Sequence, residues 1–226
     1  MDIATFKKIL DEYKRSVTTA EQAAEKLNSL NSERMRDICI DNWRGLRTGF
    51  PEVIFGNGKT DKQIINIVEK MLAQNTVILI TRVYAGLEEK LSSIARDIHF
   101  NERARTITIS KPENFKGKAG IITAGTGDIP VAEEASETLE AMGIGTDKIY
   151  DVGVAGLHRI IDNINAIRKT DTAVVIAGME GTLPSVVSGL VDIPVIAVPT
   201  SIGYGTHMNG FAPLLTMLNS CAAGVS

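Results

Sequence analysis

The chain has 226 residues, 44% apolar and 23% charged, the balance of an ordinary globular protein with one large domain or two smaller ones. A net charge of −3 gives no global basic field for nucleic acid or an anionic membrane, and 5% aromatic content is too low for base-stacking platforms. Two cysteines, Cys39 and Cys221, make neither a disulfide framework nor a metal cluster, so a reducing cytoplasm is the expected compartment.

No run approaches the roughly 18 apolar residues of a membrane span. The first residues, Met1-Asp-Ile-Ala-Thr-Phe-Lys-Lys, are charged and amphipathic, unlike a signal peptide. Residues 2–14 and 19–30 read as short amphipathic helices, with Ile3, Phe6, Ile9, Leu10 and Tyr13 on one face of the first. Thr19 followed by Gln22 has the form of a capping box. Residues 41–55 break helical periodicity and end in a strand-like run. Asp61 is the expected cap of a helix with Ile64, Ile65, Val68, Met71 and Leu72 apolar. Then come a strand over 77–80, a helix over 84–97 and a strand over 106–109. Residues 1–115 thus read as a smaller N-terminal α/β domain with leading helices. Lys111-Pro-Glu-Asn-Phe-Lys-Gly-Lys118, across this boundary, is polar and carries the breaker signals of a linker.

The remainder, 116–226, alternates regularly. Strands are expected over 119–124, 147–151, 172–177 and 193–198, with helices over 129–142, 156–168, 181–190 and 210–222. This βαβαβαβα order with short loops predicts a three-layer, doubly wound parallel sheet of the flavodoxin-like kind, covered on both faces. The last residues, Ala222–Ser226, stop where a helix is expected to end at Gly224 and a new strand to begin, as in a chain trimmed from a longer one.

Four Gly-rich turns follow the four strands: Thr123-Ala-Gly-Thr-Gly-Asp128, Val152-Gly-Val-Ala-Gly156, Ala177-Gly-Met-Glu-Gly181 and Pro199-Thr-Ser-Ile-Gly-Tyr-Gly205. In an open parallel sheet such turns gather at the carboxyl edge, where ligands bind. Gly125, Thr126, Gly127 and Asp128 suit a phosphate or ribose, since Pro130 marks a helix start there; Asp128 is alternatively a simple helix cap. Glu180, beside Gly178, Met179 and Gly181, reads as a general acid or base, or as a first-turn carboxylate. Gly156, His158 and Arg159 face an anion or solvent. Arg44, Arg47 and Lys59 lie in what reads as irregular chain, as an anion clamp or as solvated surface. Cys221 reads either as a small buried hydrophobe on a helix or as a soft nucleophile suited to an electron-poor ring. Cys39, between Ile38 and Ile40, reads as core. Two look-alikes fall away. Gly56-Asn-Gly-Lys-Thr60 lacks the earlier glycine of a phosphate loop, with Val53 in its place. The turn at 125–127 lacks the third glycine of a dinucleotide fingerprint. The histidines lack metal-ligand spacing.

The C-terminal half resembles the aminoimidazole-ribonucleotide carboxylase/mutase (PurE-like) family. Thr123–Asp128 is similar to its Gly-Ser-x-Ser-Asp turn, Val154-Ala-Gly-Leu-His-Arg159 to its Ser-Ala-His-Arg, and Ala177–Pro184 to its Gly-Gly-Ala-Ala-His-Leu-Pro. Thr182 stands in place of that family's histidine and Glu180 in place of an alanine. Nearly the whole chain resembles the LarB family of nickel-pincer nucleotide biosynthesis. That match rests on Arg44-Gly-Leu-Arg-Thr-Gly-Phe-Pro-Glu-Val-Ile-Phe55, Gly58-Lys-Thr60, the four turns, and Tyr204 through Cys221.

This second resemblance implies a pyridinium-3,5-biscarboxylic acid mononucleotide synthase. Its substrate would be nicotinic acid adenine dinucleotide (deamido-NAD), with NAD as an analogue and CO2 as co-substrate. It implies Cys221 as nucleophile, and Glu180 is the candidate acid/base for that chemistry. It implies no tightly bound cofactor; the diphosphate would be neutralised by Arg/Lys or by Mg2+ held mainly on substrate phosphates, with no confident metal site in the protein. A homo-oligomer is expected, an octamer by analogy with the related carboxylases. The alternative is a purine-type carboxylase/mutase acting on an aminoimidazole ribonucleotide, which needs no thiol.

Overall fold

The computed structural model describes residues 3–29, 32–35, 38–41, 44–74 and 76–226. The chain divides into two compact units, Met1–Lys111 and Pro112–Ser226.

In the first unit, helices α1 (Ile3–Lys14) and α2 (Ala20–Ser29) bury Ile9 and Ala23, while Leu10 and Tyr13 remain exposed. A Lys26–Glu12 ion pair at 2.8 Å links them. The Thr19–Gln22 capping box forms in both directions. Strands β1 (Ser32–Met35) and β2 (Ile38–Asp41) make an antiparallel hairpin that periodicity did not reveal. The side chain of Cys39 lies outside the described residues. A short helix, α3 (Arg44–Thr48), carries Arg44 and Arg47, which therefore do not lie in irregular chain.

A mixed sheet follows, ordered β3 (Ile54–Phe55), β4 (Ile78–Thr81), β6 (Thr106–Ile109), β5 (Ile98–Asn101). Its β3–β4 pairing is parallel and the other pairings antiparallel. Helix α4 (Asp61–Leu72) packs Ile64, Ile67, Val68 and Met71 against Ile78, Ile80, Ile107 and Ile109. Its cap is Thr60 rather than Asp61. Thr60 Oγ1 accepts the Gln63 N–H, and Gln63 Oε1 accepts the Thr60 N–H, a box of the kind that contributes about 1 kcal/mol. The helix expected over 84–97 shrinks to α5 (Leu87–Leu91). Ser92 and Ser93 turn their hydroxyls onto the carbonyls of Glu89 and Lys90, and Asp97 is left-handed, so the chain leaves the helix to enter β5.

The second unit is the expected parallel α/β fold. Strands β7 (Lys118–Thr123), β8 (Gly145–Ile149), β9 (Thr172–Ala177) and β10 (Val195–Pro199) form one sheet ordered β10-β9-β7-β8, every pairing parallel. Helices α7 (Leu157–Ile167), α8 (Leu183–Ser188) and α9 (Phe211–Leu218) pack on one face through Ile160, Ile167, Leu183, Val187 and Met217. On the other face, among the described residues, α6 (Ile129–Ala141) packs alone through Ala132, Val131 and Leu139, so coverage is uneven and Ile196 of β10 stays exposed. Two helices are shorter than periodicity implied. α8 starts only at Leu183, because Met179 and Gly181 both have positive φ. α9 starts only at Phe211, because Met208, Asn209 and Gly210 are left-handed, and it ends at Leu218. Beyond it the chain turns at Gly224, and Val225 bridges Val195 in parallel, as the expected new strand would. No helix among the described residues is long and apolar enough to cross a membrane.

Candidate active site

Because all four strands run the same way, the turns after β7, β8, β9 and β10 meet at one edge. They enclose a cleft of about 260 Å³. Gly125 and Asp128 come from the first turn, Gly153 and Val154 from the second, Gly178 to Thr182 from the third and Ile202 from the fourth. A second depression of about 210 Å³ adjoins it, lined by Met179, Glu180, Tyr204, Thr206, His207 and Ala212. Met179 and Glu180 belong to both linings, so the Glu180 carboxylate stands on the shared ridge.

Asp128 is the buried polar group of the cleft, only 3% exposed. It closes the 3-10 turn Thr126–Asp128. Its Oδ2 accepts the Gly125 N–H at 3.0 Å, and its Oδ1 accepts the Thr200 hydroxyl at 2.7 Å. Burial pushes its carboxyl above the ordinary aspartate range, against the opposing pull of these two bonds. As the residue before α6 its side chain makes no cap bond to that helix; the carboxylate instead holds the Gly125 N–H of the preceding turn and lines the cleft. The raised pKa means that the fold favours the protonated form. This group's contribution to stability is therefore fullest at low pH and declines as pH rises from the unfolded-state value toward the folded one.

An isosteric amide can still accept from Gly125 and donate to Thr200 while removing the charge. Asp128→Asn is thus expected to melt no lower than wild type at pH 7.5 and to lose the acid-side pH dependence that Asp128 confers on stability. Turnover should fall at least about 100-fold, since a buried acceptor oxygen of the cleft is replaced by an amide N–H donor. Melting curves from pH 4 to 8 beside initial rates test this. A variant with normal turnover would remove Asp128 from the site.

Glu180 is exposed, and its Oε1 accepts the Thr182 hydroxyl at 3.0 Å, which orients it along the ridge. The turn that presents it is sterically determined. Gly178 faces the Ile202 carbonyl so closely that a Cβ would lie 2.0 Å from that oxygen. Gly181, at φ 72°, abuts Pro213 at the start of α9. Met179 adopts φ 54°, a left-handed conformation that costs a residue with a side chain about 1–2 kcal/mol. Its N–H is held by the Ile202 carbonyl at 2.9 Å.

Of the second-turn candidates, Arg159 lines the cleft and His158 does not. The Arg159 guanidinium donates to the Asp151 carbonyl at 2.6 Å and to the Asp151 carboxylate at 2.9 Å. Gly156 lies against that guanidinium rather than in the cleft lining. Thr126 and Gly127 are exposed and line neither depression. Thr200, Ile202 and Val154 were not singled out from sequence, and Thr182 was noted only as standing in place of the related family's histidine. The Asp128–Thr200 bond spans 72 positions and leaves no local signal, whereas the Arg159 motif had already offered both neighbours.

The basic trio belongs to the first unit. Arg47 is paired with Asp41, Lys59 Nζ donates to the Phe55 carbonyl at 2.8 Å, and Arg44 is exposed. Among the described residues no group of three or more His, Cys, Asp or Glu is arranged to hold a metal.

Cys221 is exposed, three residues past the end of α9, and is therefore not a buried helical residue. It lines neither depression. α9 begins beside the cleft at Pro213 and runs away from it. The segment after α9 is pinned by Ser220 Oγ to Ser185 Oγ at 2.7 Å, by Ser188 Oγ to the Ala223 carbonyl at 2.5 Å, and by Val225 to Val195 at the amino end of β10.

Comparison with known proteins agrees with this architecture. Residues 32–111 match the LarB/PurE-like N-terminal domain and residues 118–226 match AIR carboxylase. Uncharacterized protein MJ0165 of Methanocaldococcus jannaschii is 46% identical over 202 residues, covering 84% of this chain and 77% of that protein. N5-carboxyaminoimidazole ribonucleotide mutases are similar over the C-terminal half: that of Thermotoga maritima is 31% identical over 107 residues and that of Pyrococcus abyssi 33% over 107. In each case the match covers 45% of this chain and 58% of the mutase. With its N-terminal domain of one kind and its parallel-sheet domain of the other, the chain belongs to the LarB family of carboxylase/mutase-type enzymes, PurE-like in its C-terminal half.

Proposed function

We propose that the enzyme carboxylates C5 of the pyridinium ring of deamido-NAD with CO2 and hydrolyses the phosphoanhydride to release AMP. The product is pyridinium-3,5-biscarboxylic acid mononucleotide, a precursor of the nickel-pincer nucleotide. The observation that carries this reading is the pair of adjoining depressions with Glu180 on their common ridge, a layout suited to a substrate with two nucleoside halves. The larger cleft, with Asp128 as a fixed acceptor for ribose hydroxyls, takes the pyridinium half. The exposed Tyr204 ring offers the adenine a stacking face in the smaller one.

The chemistry requires a nucleophile before a base. C5 of a cationic aromatic ring does not attack CO2. A thiolate adding to C4 or C6 forms a C–S bond and sends the iminium electron pair onto the ring nitrogen, giving a neutral enamine in which C5 is nucleophilic. C5 then bonds to CO2. Glu180 takes the C5 proton, the C–S bond breaks with its electrons returning to sulfur, and aromaticity is restored. The net change is a ring C–H replaced by a carboxylate with release of one proton, and the thiol is regenerated. In the second reaction one water splits the P–O–P linkage. Arg159 is the cation among the described cleft-lining residues, and it is already shared with Asp151. A Mg2+ carried on the substrate phosphates would supply the remaining neutralisation without a protein cluster.

Incubation with deamido-NAD and bicarbonate is expected to yield AMP and the dicarboxylated mononucleotide in equal amounts, read by chromatography and mass spectrometry. Turnover of an aminoimidazole ribonucleotide without either product would instead support a purine-type mutase.

A further inference from the structure

A carboxylate that serves as a base offers two oxygens, and at Glu180 the structure makes them unlike. Oε1 accepts the Thr182 hydroxyl at 3.0 Å, whereas Oε2 has no hydrogen-bond partner among the described residues. The backbone on either side is tightly determined, with Met179 at φ 54° and Gly181 at φ 72°. The side chain is not: it is exposed, and its own rotatable bonds let an untethered carboxylate sample several rotamers. The Thr182 bond is the one contact that selects among them.

Thr182 gives up an ordinary duty to make that bond. It stands immediately before α8, where a threonine usually accepts a backbone N–H from the first turn of the helix. Here its backbone is helical, φ −82° and ψ −19°, and its side chain makes no cap bond. The hydroxyl turns to Glu180 instead. Thr182 lines only the larger cleft, while Glu180 lines both depressions. The tether therefore reaches the ridge from the side assigned to the pyridinium ring.

We propose that Thr182 is the positioning residue of the base: by occupying Oε1 it holds the carboxylate at the larger cleft and leaves Oε2 to take the C5 proton. This rests on the reading of Glu180 as the base. The hydroxyl proton given to Oε1 makes that oxygen the poorer acceptor for a second proton. In the transfer the C5–H bond breaks and its proton goes to Oε2. Its electron pair returns to the ring as the enamine re-forms, and sulfur then leaves with the C–S pair. Oε1 becomes the carbonyl oxygen of the resulting acid and accepts the same hydroxyl before and after. The bond needs no rearrangement at the reacting step, which is the property of a preorganised site.

Thr182→Val removes the hydroxyl and keeps the shape of the side chain. It is expected to lower kcat about 10- to 100-fold with KM within about twofold of wild type, since the base is misplaced while binding is untouched. Deuterium at C5 of the substrate ring should slow the variant more than it slows wild type, because proton removal becomes the slow step. The melting temperature should not change, because no helix cap is lost. Thr182→Ser keeps a hydroxyl and should restore most of kcat together with the wild-type isotope effect. Thr182→Val combined with Glu180→Gln should be no slower than Glu180→Gln alone, as for a residue that acts only through the carboxylate. Wild-type kcat in Thr182→Val would overturn the proposal. So would a loss of kcat that comes with a lower melting temperature and an unchanged isotope effect, the mark of a purely structural threonine. Activity retained in Glu180→Gln alone would overturn the underlying reading instead.

Discussion

Cys221→Ala is expected to lower carboxylation of deamido-NAD by at least about 1000-fold while leaving stability within about 0.5 kcal/mol of wild type. The two halves of this expectation have separate causes. Cys221 is exposed and lies outside α9, so truncation to alanine opens no cavity and breaks no hydrogen bond in which the side chain takes part. The pyridinium ring, by contrast, has no route to a nucleophilic C5 unless an electron pair is first added to it. No neighbouring group among the cleft-lining residues offers a comparable soft nucleophile. Intact-protein mass spectrometry after exposure to NAD, which the enzyme should bind without completing turnover, is expected to show an adduct on wild type and none on the variant. Full activity in the alanine variant would remove covalent catalysis from this thiol.

The largest structural effect is expected at Gly178. A Cβ there would meet the Ile202 carbonyl oxygen at 2.0 Å and Thr200 Oγ1 at 2.8 Å. The first clash is with backbone, which cannot rotate away as a side-chain tip does. Relieving it means moving Ile202, and that breaks the Met179 N–H bond to the same carbonyl, which holds the third turn to the fourth. Thr200, the donor to Asp128, is displaced in the same movement. Gly178→Ala is therefore expected to cost at least about 3 kcal/mol, at the upper end of overpacking effects. Any folded remainder should have less than about 1% of wild-type turnover, since both Asp128 and Glu180 lose their settings. Urea denaturation and initial rates on the soluble fraction check the two parts. A stable, active Gly178→Ala enzyme would mean that the third and fourth turns do not form one rigid floor.

Much of this protein was legible along the chain. The apolar runs at 119–124 and 172–177, each followed by glycines and an amphipathic stretch, pointed to a parallel sheet with its turns on one edge, because regular strand–helix alternation with short loops packs best as right-handed crossovers. From that alone Asp128 and Glu180 were placed at a shared edge, since both immediately follow strands. The Thr19–Gln22 box was equally local, a contact across three residues.

What sequence could not decide were relations between distant positions and choices within one turn of helix. The periodicity of 84–97 gave no warning that Ser92 and Ser93 would bond the backbone and end α5 early. The Leu157-His-Arg159 segment offered two side chains, and only the direction in which α7 leaves the sheet turns Arg159 rather than His158 to the cleft. Asp128 acquired its raised pKa from burial in the folded cleft, where it also meets Thr200, 72 positions away, and no local pattern encodes that. The fate of Cys221 is the clearest case. Sequence places it one helix after the fourth turn, but a helix following a parallel strand must run back against it. Chain direction therefore carries a residue at the helix's far end toward the amino edge, away from the cleft that its chemistry calls for.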